Sequence, residues 1–101
     1  MSPLSASMVA TIYDYDFAID LYNQIIIKDP RSASAYNNRG ICTIKKAMDR
    51  YDVPSVHQGI RDIETAILLW PEEHYSKKLQ SINALAWAKN VIEVLETMTA
   101  C

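Results

Sequence analysis

The chain has 101 residues, half of them apolar and 22% charged, with two glycines and four prolines. This size and composition suit a single globular domain and exclude a disordered chain, a collagen-like sequence and a turn-rich β-sandwich. A net charge of −2 supplies no global attraction to nucleic acid or anionic lipid, and no stretch reaches the roughly 18 apolar residues that span a bilayer.

In chain order, Ser5 to Ile12 is a weak helical candidate with Met8, Val9 and Ile12 on one face. FAIDLYNQIII follows, where Phe17, Ala18, Leu21, Tyr22, Ile25 and Ile26 recur at helical spacing. Asp14 or Asp16 can cap this helix, and Asp29-Pro30 ends it, because a residue before proline leaves the α region. Ser32 or Ser34 can cap the next helix, ASAYNNRGICTIKKAMDR, whose Gly40 implies a close helix crossing. Asp52, Pro54 and Ser55 then break the pattern, so residues 51–57 are expected to be a loop and the next helix to begin at Gly59. That helix carries Ile60, Ile63, Ala66, Ile67 and Trp70 in phase and stops before Pro71. Glu72 and Glu73 suit the positive start of a final helix reaching about Met98, long enough that one neighbour cannot cover it.

DFAIDLYNQIIIKDP and GIRDIETAILLWP align at Pro30 and Pro71 with their apolar residues in the same phase. The prolines are 41 residues apart, a 34-residue helix-turn-helix period plus a seven-residue insertion. With Tyr15, Ala18, Tyr22, Tyr36, Gly40, Ala66 and Tyr75 at matching positions, residues 13–79 resemble tetratricopeptide (TPR) repeats. Gly59 stands where that pattern usually has alanine and Arg39 where it has leucine. The resemblance implies an all-α domain of about two antiparallel helix-turn-helix repeats with a long C-terminal capping helix, spanning 1–101 with an insertion at 51–57. Small residues at Ala18, Gly40, Gly59 and Ala66 would let its helices approach closely.

The resemblance also implies a concave binding surface. Carried over position by position, it marks Asn37, Asn38, Ile41, Lys45, Lys77 and Gln80 as a groove for an extended peptide, the amides holding backbone and the ammonium groups a carboxylate. The carboxylate clamp of chaperone-binding TPR domains is incomplete: Asn38 fits, but Glu73 replaces a lysine and Pro3 and Ser7 occupy the first-repeat positions. Apolar residues surround much of the last helix, so Leu79, Trp87, Val91, Leu95 and Met98 form a candidate interface with a partner or a second copy.

Other chemistries lack their residues. Asp14, Asp16 and Asp20 open like a calcium loop, but no glycine follows at the sixth position and Ile25 replaces the bidentate glutamate. His57 and His74 have no ligand-spaced neighbour, Cys42 has no identifiable base, and Cys42 and Cys101 read as free thiols without metal spacing. Arg39, Lys46 and Arg50, with Lys45 adjacent, could meet phosphates, yet no nucleic-acid-reading motif accompanies them. The sequence therefore predicts a non-catalytic adaptor or assembly factor without cofactor or metal, binding a protein or peptide. The alternatives are a self-associating helical protein, such as a homodimer, and, less favoured, a nucleic-acid-binding regulator. With no signal-like N-terminal segment and no apolar span, a cytoplasmic compartment is the default expectation.

Overall fold

The structure, a computed structural model, describes residues 14–100. The expected Ser5–Ile12 helix, Pro3, Ser7 and Cys101 lie outside the described residues. The described residues form four α-helices, α1 (Tyr15–Lys28), α2 (Ala33–Arg50), α3 (Val53–Leu69) and α4 (Tyr75–Thr99), with a 3-10 turn at Glu72–His74 and no strand.

The boundaries follow from local chemistry. Asp14 Oδ1 accepts the Phe17 N–H at 2.9 Å and starts α1, and Asp29 ends it just before Pro30. Ser32 Oγ accepts the Ala35 N–H at 3.3 Å and starts α2. The last helix begins at Tyr75, with Glu72 and Glu73 in the preceding 3-10 turn, so the acidic pair lies just ahead of the helix.

Residues 51–57 are not a loop. Tyr51 takes the left-handed conformation with φ 53 and closes α2, while the Asp52 N–H reaches back to the Ala47 carbonyl at 3.0 Å. Asp52 then caps α3, its carboxylate accepting the Ser55 N–H at 3.2 Å and the Ser55 hydroxyl at 2.6 Å. Pro54 falls in the first turn, where a helix needs no proline N–H and the fixed φ is favourable. The same Asp-x-Pro-Ser chemistry that resembles a chain break is thus a helix start. The long helices α2 and α3, of 18 and 17 residues, take up most of the 41 residues between Pro30 and Pro71.

α2 and α3 form the central hairpin, α4 lies mainly on α3 with a smaller contact on α2, and α1 packs on α2. Gly40 and Gly59 face each other where α2 and α3 cross: a Cβ on Gly40 would stand 2.6 Å from the Gly59 carbonyl oxygen. The close crossing expected at Gly40 is therefore present. Around it Ile44, Ala47, Val56, Ile60 and Ile63 pack with Ala88, Val91 and Leu95 of α4 as one core.

Polar clamps tie the helices together. Arg39 donates from Nε and Nη2 to the two oxygens of Asp62 at 2.8 and 2.7 Å, and from Nη1 to Asn23 at 2.9 Å, joining α2 to both α3 and α1. The Asp62 hydrogen bonds raise the Arg39 pKa above its ordinary value. This bidentate pair gives Arg39 a structural role between the helices. Lys46 pairs with Asp16, which lowers the Asp16 pKa and adds a second link from α2 to α1.

Candidate functional site

Along α2, Asn38, Ile41, Lys45 and Met48 recur at helical spacing on one side, and Gln80, Trp87, Val91, Val94 and Met98 do the same on α4. Met48 lines one groove with Trp87, Asn90, Val91, Val94 and Leu95, so the two rows border a common face. That face is polar at one end and apolar at the other.

At the polar end the sequence expectations divide. Lys45, Lys77 and Gln80 are exposed and Asn38 is half-buried, but Asn37 is committed inside the fold. Its Oδ1 accepts the Ser81 hydroxyl at 2.8 Å, and Ser81 Oγ in turn accepts the Trp70 Nε1–H at 2.8 Å. This chain ties α2 and α4 to the residue that ends α3, and its hub, Ser81, is wholly buried. Asn37 is thus a structural residue. Ile41 packs partly against the core, and the Lys77 ammonium sits 5.7 Å from the centre of the Trp70 ring, a cation–π contact. Ser81→Ala is expected to leave the Trp70 and Asn37 polar groups without their partner and to cost about 1–3 kcal/mol, read by chemical denaturation. An unchanged midpoint would mean that water replaces the hydroxyl.

The apolar end corrects the interface expectation. Val91 and Leu95 are buried core residues against α3, and Trp87 is half-buried on the same core, so these three do not form a free outer surface. Leu79 and Met98 are exposed, at 43% and 53%. What remains open between the two rows is an apolar groove of about 180 Å³. Its rim residue Val94 is 56% exposed and Met48 40%. Leu79 is not among the groove residues; it lies about 100° around α4 from Gln80, with exposed Tyr75 and Ile82 at i−4 and i+3.

Met48, Asn90 and Val94 belong to the groove but were not among the sequence-derived site residues. The signal for Met48 is its helical register with Lys45 and Ile41, readable once α2 and α4 are known to be neighbours. Ser81 carried a clearer mark, a polar residue in phase with the apolar Ala88, Ile92 and Leu95.

The remaining candidates are placed as follows. Arg39 and Lys46 of the basic row are engaged by Asp62 and Asp16. Burial raises the Cys42 pKa above its ordinary value despite nearby Lys45, which favours the protonated thiol and a poor nucleophile. His57 and His74 are exposed. Among the described residues no group of three or more His, Cys, Asp or Glu is placed to hold a metal ion, and no helix is long and apolar enough to cross a membrane. Compared with known proteins, the chain matches no family model, no curated protein and no solved structure.

Proposed function

We propose that this all-α chain is a non-catalytic interaction module of TPR-like architecture that receives a segment of a partner protein across the face between α2 and α4. The observation that carries this reading is the apolar groove of Met48, Trp87, Asn90, Val91, Val94 and Leu95, with Asn38 and Lys45 in helical register with Met48 on α2 and Gln80 in register with Trp87 on α4. An apolar side chain of the partner fills the groove, and the amides and Lys45 hydrogen-bond its backbone or a carboxylate. The helix-turn-helix order, the 41-residue spacing of Pro30 and Pro71 and the glycine-mediated crossing of α2 and α3 support the TPR-like part of the reading. So does the position of α4, which touches both helices of the hairpin.

Val94→Asp tests this without disturbing the core, because Val94 is more than half exposed. Peptides selected from a random library by the native chain are expected to bind Val94→Asp roughly 10-fold to 100-fold more weakly, since burying a side chain of this size contributes about 1.5–3 kcal/mol. Equal binding by both chains, or no enrichment at all, would overturn the reading.

Self-association through α4 is favoured by a separate observation, the exposed row Tyr75, Leu79 and Ile82 on that helix, none of which lines the groove. Sedimentation of the native chain and Leu79→Asp separates the two readings. A mass that halves in the variant assigns this row to a dimer, and a native monomer removes the dimer.

A further inference from the structure

We propose that the partner segment carries two apolar side chains with a lysine or arginine beside the second, an inference that rests on reading the α2–α4 groove as a partner site. Val94 lines two hollows along α4. The first is the groove beside Met48, and the second, of about 320 Å³, is bordered by Glu93, Val94, Thr97 and Met98. Val94 and Met98 are exposed, so both hollows offer apolar surface to a side chain from outside. Asn90 and Val94 border the first hollow and Val94 and Met98 the second, which places the second one helical turn, about 6 Å, further along α4. Alternate side chains of an extended segment point to one side about 6.6–7 Å apart, so a pair at i and i+2 reaches both hollows.

The two hollows differ in charge. No charged residue borders the Met48 groove, whereas the exposed Glu93 borders the second hollow. Among the described residues the Glu93 carboxylate makes no ion pair, not even with Lys89 one turn earlier, so it stays open to a cation from outside. The exposed Glu96 follows three residues on, and the last turn of α4 has no basic residue to offset the negative end of the helix dipole. A carboxylate at the rim of an apolar hollow sorts incoming segments by charge: seating the apolar side chain brings an acidic neighbour into repulsion and a basic one into attraction.

The test selects peptides from a random library on the full native chain at low salt and measures their binding to that chain and to Glu93→Lys, a change at an exposed position outside the core. The selected peptides are expected to share two apolar residues at i and i+2 with a lysine or arginine beside the second. They are expected to bind Glu93→Lys about threefold to tenfold more weakly than the native chain, and replacing their basic residue by glutamate should reverse that order. Peptides that share the apolar pair but no basic residue, or that bind both chains equally, would overturn the proposal and leave the groove reading standing. A library that yields no binder would overturn both. A native dimer that Val94→Asp splits would assign the hollows to a second copy and overturn the proposal as well.

Discussion

Gly40→Ala is expected to destabilise the protein by about 1–3 kcal/mol, although the same change in an open helix would stabilise it by roughly 1 kcal/mol through helix propensity. The sign is set by what the new methyl meets. Its carbon would lie 2.6 Å from the Gly59 carbonyl oxygen and 2.9 Å from Ile63 Cγ1. A side chain can rotate away, but the Gly59 carbonyl belongs to the α3 backbone and moves only if the two helices separate. Separating them would loosen the core that Ile44 and Ile63 build immediately beside the crossing. Thermal unfolding should show the midpoint falling by several degrees, at about 4–8 °C per kcal/mol for a domain of this size. A rise in midpoint would show that α2 and α3 are farther apart than the structure places them.

Ile44→Ala carries the largest expected loss, about 2–5 kcal/mol by chemical denaturation. Ile44 is completely buried at the centre of the three-helix core, where lost contacts and the resulting cavity both count. It also fills the space that Gly59 leaves: a Cβ on Gly59 would stand 2.4 Å from Ile44 Cγ1 and 2.9 Å from Ile44 Cδ1. The two positions are therefore coupled. Gly59→Ala should cost less in the Ile44→Ala background than in the native one, with an interaction energy of about 0.5–3 kcal/mol. It should still cost something there, since the Gly40 carbonyl oxygen remains 2.7 Å from the added carbon. Strict additivity would mean that the isoleucine and the glycine do not share this space.

These predictions concern the part of the molecule that the sequence describes best. Helical periodicity located every described helix, and Gly40 in the middle of one pointed to a close crossing before its partner was visible. The site was less legible. Asn37 and Asn38 are adjacent amides and look equivalent in sequence, yet one binds Ser81 inside the fold and the other stays at the open face. Their directions differ by about 100°, so the neighbour each meets depends on where α4 lies. Val91 and Leu95 show a related limit: an apolar helix surface shows that something covers it, but not that most of each side chain packs into the core and only the remainder lines the groove.

The linear order of residues by itself determined the all-α class and the stops at Asp29-Pro30 and before Pro71, and narrowed the caps to Asp14 or Asp16 and Ser32 or Ser34, because these depend on spacing within a few residues; the structure selects Asp14 and Ser32. Only the tertiary structure decided that α3 begins at Val53 within 51–57, that Arg39 clamps α2 to α1 and α3, and that Met48 joins α4 in an open groove. Each of these rests on a partner distant in sequence or on a choice between two uses of the same local chemistry. Asp52 and Pro54 suit a loop as well as a helix start, and packing of Val56 and Ile60 into the core selects the helix.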